Sequence, residues 1–303
     1  MESYLIAMAV FGSIYALLAL GLNIAWGFAG MVNLGLAGFY AVGAYASALA
    51  TKTFGLPIAA GILLGFVAAG LAGALLTLVT LRLRGDYLAI VTLGFAEVIR
   101  LIASNEVWLT NGTDGISGIA GPWRGRVDPA TFNLLYLLLI LSILAVALFF
   151  CERLRRSPYG RVLRAIRDDD VAAAVAGKWV ARFKVQSFAF GAALAGLAGA
   201  LYGHYTSYIA PEIFQALVTL YIFLAVTAGG IGNNFGVVIG AFLVIAVQEA
   251  TRFLTPLMPG FTGAQLGAFR EILIGVALLL IMRYRPAGLL PEPLPKSPKE
   301  PVP

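Results

Sequence analysis

Long apolar runs separated by short polar turns set the pattern of this chain. They cover about residues 4–26, 33–51, 57–81, 87–104, 132–151, 183–206, 214–229, 235–254 and 269–283. A helix needs roughly 20 apolar residues to cross a hydrocarbon core about 30 Å thick. Helices satisfy their own backbone polar groups there, and open strands do not. The pattern predicts an all-α polytopic membrane protein with about nine transmembrane helices. One stretch departs from it. Residues 157–177 read SPYGRVLRAIRDDDVAAAVAG, a charged segment of helical character between two apolar runs. Arg161, Arg164 and Arg167 recur at helical spacing, and Asp168, Asp169 and Asp170 follow. Ala172, Ala173, Ala174 and Gly177 then offer a small-residue face. A helix with such a face, placed between spans, suits close seating in a groove on another protein.

Two glycine-rich stretches interrupt the apolar pattern without charge. Gly27 to Gly35 (GFAGMVNLG) and Gly229 to Gly236 (GGIGNNFG) each run through a GxxG step to Asn and Gly at the start of a new run. They read as a short trace of an internal repeat. Each is either a tight turn between helices or a broken helix lining a pathway. The proline-rich end, residues 291–303, is expected to be a disordered tail after a transmembrane domain over 1–290.

Charge orients the spans. The segment 152–182 carries Arg153, Arg155, Arg156, Arg161, Arg164, Arg167, Lys178 and Arg182, and the end carries Arg283, Arg285, Lys296 and Lys299. Basic loops stay in the cytoplasm, so both segments are expected there. Counting back places Arg82 and Arg84 inside and the amino terminus outside. The segments 205–213 and 255–268 lack Lys and Arg, as external loops should. The segment 105–131 is external by parity. Its Asn111–Gly115 run is a turn signal, expected to help receive an external partner. The first run has no basic leader and is long enough to span, so no cleavable signal peptide is expected.

Composition agrees. Of 303 residues, 60% are apolar and 12% charged, where soluble domains carry about 25% charged residues. The 35 glycines suit close helix approach in a bilayer. The net charge of +6 sits in loops and points to no nucleic acid. Cys151 is the only cysteine, which excludes an intramolecular disulfide, and it is expected to pack at a helix end.

Polar residues inside spans are functional candidates. Glu97 and Arg100 are three apart and can pair on one helix face. Glu249 and Arg252 repeat that spacing beside Gln248. Each set reads as a structural pair or as lining for a substrate pathway. Thr92 can bond a solute or a carbonyl of its own helix. Arg270 and Glu271 read as an interfacial anchor. His204 is the only histidine, so a metal site is not expected. Tyr202, Tyr205 and Tyr208 around it read as an interfacial aromatic belt.

Several segments together resemble one family. SPYGRVLRAIRDDD is similar to the cytoplasmic coupling loop of ABC-importer permeases. RGDYLAIVTLGF (Arg84–Phe95), NGTDGISGI (Asn111–Ile119), FGAALAGLAGALY (Phe190–Tyr202), Gly229–Gly232 and RPAGL (Arg285–Leu289) resemble branched-chain amino acid ABC permeases in the family order. RGDYLAIVTLGF favours the M-type subunit. One departure is Gly177-Lys178-Trp179, where the family pattern has glycine, an apolar and a small polar residue.

The resemblance implies the ABC-importer permease fold and a multi-pass protein of the bacterial inner membrane. It implies a second permease of the H type, two cytoplasmic ATPase subunits and an external substrate-binding protein. In this reading Gly160, Arg161, Arg164, Arg167, Asp168, Ala172, Ala173 and Gly177 couple to the ATPase, with the charges at the rim. Thr92, Glu97, Arg100, Gln248 and Glu249 are pathway candidates. The chain has no GxxxxGK[ST] phosphate loop, so no cofactor is expected on it, and ATP and Mg are expected on the partner ATPases. Related permeases carry urea or short amides, which is the alternative solute class. A secondary transporter working without ATP leaves the charged loop without a purpose. An intramembrane enzyme lacks a nucleophile–base pair or metal cluster to work with.

Overall fold

A computed structural model describes residues 2–83, 85–254, 263–285 and 287–292. Among them the long helices are α1 (Glu2–Leu22), α2 (Leu36–Lys52), α3 (Ile58–Thr80), α4 (Asp86–Asn105), α6 (Pro129–Arg156), α9 (Val180–Thr206), α10 (Ala216–Gly229), α11 (Asn234–Leu254) and α12 (Gly263–Tyr284). Each overlaps one predicted run. Short helices α5 (Val107–Thr110), α7 (Pro158–Asp168) and α8 (Asp170–Val175) lie between them. Five helices are long and apolar enough by themselves to cross a membrane: α1 with its extension, α3, α4, α6 and α9. The protein is a multi-pass, all-α membrane protein. Arg84, the loop 255–262, the tail from 293, and the side chains of Arg252 and Arg270 lie outside the described residues.

Small residues decide the packing. A Cβ on Gly43 would strike the backbone of Gly196, one on Gly199 the carbonyl of Tyr40, and one on Gly73 the methyl of Ala192. Gly21 and Gly191 face each other in the same way. These contacts bring α1, α2 and α3 against α9 at backbone distance, the mode available to helices in lipid. In the apolar stretch of α9 67% of residues are buried and in that of α1 with its extension 61%, against 22% for α3 and 28% for α4 and α6. So α1 and α9 form the centre, while α3, α4 and α6 present outer faces.

The helix ends sort into two groups. At one end the segment 106–128 lies on the turn after α9. Strand β1 (Ile116–Ser117) pairs antiparallel with β2 (Tyr208–Ile209), and Lys52 Nζ donates to Ser117 O at 2.6 Å. His204 is fully buried. It bridges Ser47 Oγ at 2.9 Å and Ala120 O at 2.7 Å, so Nδ1 carries the proton and Nε2 accepts. Tyr202 and Tyr205 do not form a surface belt. They join Phe11, Tyr40, Phe132 and Tyr136, from α1, α2 and α6, in an internal aromatic cluster. Tyr208 alone is exposed. The Glu271 carboxylate accepts from Tyr221 on α10 at 2.6 Å.

The opposite, basic end holds the two glycine-rich stretches, and they differ. The second is a compact turn, with Asn233 Oδ1 capping the start of α11 through Phe235 N and Gly236 N, both at 3.1 Å. The first is a broken helix. After α1 the chain makes a π-helical turn, Asn23–Phe28, then runs without helix to Gly35. Its backbone finds partners inside the protein: Leu34 N donates to Thr92 Oγ1 at 3.0 Å and Ala37 N to Thr219 Oγ1 at 3.1 Å. Non-helical backbone within a span is stable only under such pairing. The stretches also touch, because Asn23 Oδ1 accepts Gly232 N at 2.9 Å and Asn23 Nδ2 donates to Asn234 Oδ1 at 3.0 Å.

Candidate functional site

The charged segment folds as two short helices at a corner between α6 and α9. Ser157 caps α7, accepting Gly160 N at 3.2 Å, and Pro158 occupies its first turn, where a missing N–H costs nothing. A Cβ on Gly160 would strike the carbonyl oxygens of Leu154 and Arg155, so this glycine lets α7 fold tightly against the end of α6. Leu163 and Ile166 are buried under the bundle. Tyr159 packs on Phe183, ring centroids 5.0 Å apart, and burial pushes its phenol up to about 12. Asp169 starts α8, accepting Val171 N at 2.9 Å and Ala172 N at 3.0 Å. Gly177 ends it. Its φ is +75°, Gly177 N bonds Ala174 O and Lys178 N bonds Ala173 O. This is a Schellman stop, which favours glycine.

The predicted coupling residues are therefore contiguous, but they do not all face outward. Arg161, Ala172 and Gly177 are exposed, and Asp168 is 71% exposed. Ala173 is buried and belongs to the seat of α8 rather than its outer face. Arg164 and Arg167 are not rim contacts. Arg167 Nη1 donates to Gly27 O at 2.5 Å, and both guanidinium groups face the Glu292 carboxylate. Helical phase explains this, since Leu163 and Ile166 set the inward side and Arg164 and Arg167 adjoin them. Open space surrounds the Gly177 Cβ position, so its role is to stop the helix, not to thin a packed centre.

The outward face contains residues that the sequence reading passed over. Val171, Val175 and Trp179 are 57%, 85% and 72% exposed. They lie exposed on α8 and just after it, among the exposed Ala172, Ala174 and Lys178. Val171 and Val175 are one turn apart on α8, a spacing that does not stand out in an apolar chain, and Trp179 follows the Gly177 stop. Beside this corner a cavity of about 310 Å³ lies between Gly30, Met31 and Leu88 and the α7–α8 junction, with Arg167, Asp168, Asp170 and Lys184 in its wall.

The intramembrane candidates separate into three places. Thr92 is fully buried, donates to Ala89 O at 2.9 Å and accepts Leu34 N. Its hydroxyl holds the broken helix through Leu34 N. Glu97 and Arg100 pair, Nε to Oε2 at 3.0 Å, on the outer face of α4, where their side chains remain 47% and 27% exposed. Gln248 and Glu249 line a cavity of about 240 Å³ with Tyr15, Tyr40 and Tyr202, and Tyr4 donates to Glu249. The turn Pro211–Phe214 lies between the last two places: Glu212 acts on Arg100, and Ile213 lines the cavity. No three His, Cys, Asp or Glu side chains converge as a metal site among the described residues.

The family profile described as "Branched-chain amino acid transport system / permease component" matches residues 4–282. The Escherichia coli K12 "High-affinity branched-chain amino acid transport system permease protein LivM" is 33% identical, over 95% of this chain and 70% of that protein. A "Probable branched-chain amino acid transport permease protein LivM" of Methanocaldococcus jannaschii is 30% identical, over 92% of this chain and 91% of its own length. The Salmonella typhimurium LivH permease is 27% identical over 93% and 92%. No solved structure matches the chain. An all-helical bundle with a charged two-helix corner, matched along nearly its whole length, thus belongs to the permease-component family of branched-chain amino acid transport systems.

Proposed function

We propose that this chain is the M-type permease subunit of an ATP-driven importer for branched-chain amino acids in the bacterial inner membrane. The observation that carries the reading is the apolar face of Val171, Val175 and Trp179 on the basic end. An exposed Trp close in sequence to two exposed valines and to charged residues has the make-up of a protein-binding hot spot. Here it receives a cytoplasmic ATPase, which supplies ATP and Mg chemistry, since this chain has no phosphate loop of its own. The higher identity to LivM than to LivH proteins favours the M-type role, with an H-type permease as partner. The Glu97–Arg100 pair points to that partner or to the pathway: an ion pair on an exposed face of a span is costly against lipid and tolerable against protein or water.

The test is uptake by the complex reconstituted with its ATPases and external binding protein. Labelled leucine, isoleucine or valine should accumulate only with ATP, and Trp179→Asp should abolish both ATPase co-purification and uptake. Uptake of urea or a short amide instead would reassign the solute within the family. Uptake without ATP would remove the importer reading.

A further inference from the structure

The chain folds back under the bundle after α12. Leu289 N donates to Ala228 O at 2.8 Å and Leu290 N to Gly229 O at 2.9 Å, and Asn233 Nδ2 donates to Pro291 O at 3.1 Å. Glycines make the fit possible. Gly288 lies on Gly230, and a Cβ at Gly230 would strike the carbonyl of Leu290. Glu292 lies beside Gly232, its carboxylate 3.0 Å from Arg167 Nη1 and 3.8 Å from Arg164 Nη1. Glu292 and Arg164 side chains are only 14% and 13% exposed. The backbone bonds to Ala228 and Gly229 already hold this strap, so the ion pair with α7 is not needed to anchor it.

We infer that Glu292 is a positioning residue for coupling: it clasps α7 to the α10–α11 turn, so that a displacement of the coupling helices moves both halves of the basic end. The inference rests on the reading that α7 and α8 receive the ATPase. Physically, a nearly buried ion pair adds little net stability over apolar packing, but separating its members leaves charges unpaired. A shift of α7 therefore carries Glu292 with it, and the strap's bonds carry the turn of 229–236. Arg167, which also holds Gly27 O, adds the π-helical end of α1 to the same unit. Cleavage of the clasp lets α7 move alone.

Two measurements on Glu292→Gln test this, with Glu292→Asp as the conservative variant. The first is amide exchange on the isolated permease, which needs no ATPase. Exchange should rise together in α7 and in the 229–236 turn, and Glu292→Asp should reverse most of it. A rise confined to 287–292 would overturn the clasp. The second is solute imported per ATP hydrolysed by the reconstituted complex. Glu292→Gln should keep subunit assembly and lower that ratio by about fivefold or more, the lower range of coupling between sites. An unchanged ratio overturns the role in coupling, as does loss of assembly in step with uptake, which is the mark of a fold anchor. If the wild-type complex does not use ATP, the proposed function fails, and the amide exchange still decides the clasp.

Discussion

Single residues in this protein act mainly through the backbone. Gly160 and Gly177 bracket the α7–α8 corner for different reasons: the first has no room for a Cβ, and the second has room but a left-handed φ. Gly160→Ala forces a backbone shift at a packed junction, a cost of about 1–3 kcal/mol. Gly177→Ala carries only the left-handed penalty of about 1–2 kcal/mol. Limited proteolysis of 157–179 in the detergent-solubilised protein should show the larger loosening in Gly160→Ala. Thr92 makes a second case. Thr92→Val strands Leu34 N inside the protein, at about 1–3 kcal/mol, and should lower the thermal midpoint, with Thr92→Ser near wild type. A change in solute affinity with an unchanged midpoint would return Thr92 to the pathway.

At the scale of elements, charges decide where helices begin and what their faces meet. Asp128 caps α6, and hydrogen bonds from Thr131, side chain first and backbone second, hold its carboxyl below the usual aspartate value of 3.8. A depressed folded value means that the cap contributes fully above the unfolded value and is lost as pH falls through the folded one. Protection of the Thr131 amide, taken against its intrinsic exchange rate, should therefore fall as pH drops below that range, and should lack this pH dependence in Asp128→Ala. On α4 the Glu97–Arg100 pair makes a sharper statement. Glu97→Ala leaves Arg100 unpaired on an intramembrane face. The double variant Glu97→Ala/Arg100→Ala should assemble better than Glu97→Ala alone. Equal co-purification of the H-type permease with both would place the pair in contact with water or headgroups.

On the scale of the molecule, the sidedness of the bundle organises everything else. The segment 106–128 and the α9–β2 turn share one end through β1–β2 pairing and His204. The α7–α8 corner and the strap 287–292 share the other. With basic residues inside, Asp168→Cys should resist an impermeant thiol reagent in intact cells, and Thr113→Cys should react. Cys151 is buried and should give little background. Labelling of Asp168→Cys from outside would invert the topology.

The number, order and approximate bounds of the helices were legible in the sequence, because spans are set by runs of apolar residues, and a run is a local property. The charged α7–α8 corner was legible for the same reason: a charged segment between spans has few places to go. Orientation of individual side chains was not. Arg164 and Arg167 looked like rim residues beside Arg161, and only the packing of Leu163 and Ile166 turned them toward Glu292, more than a hundred residues away. Asn23, Glu152 and Asn234 were equally hidden, since Asn234 Nδ2 reaches Glu152 at 3.3 Å across three separate segments. The tyrosines near His204 were misread because the packing of α1, α2 and α6 against α9, not composition, decides whether an aromatic ring meets the interface or the core. Local hydrophobicity thus determined what crosses the membrane and where the charged corner lies. Tertiary contact alone decided which charges pair and which glycines bear close approach, because those depend on residues that sequence distance does not bring together.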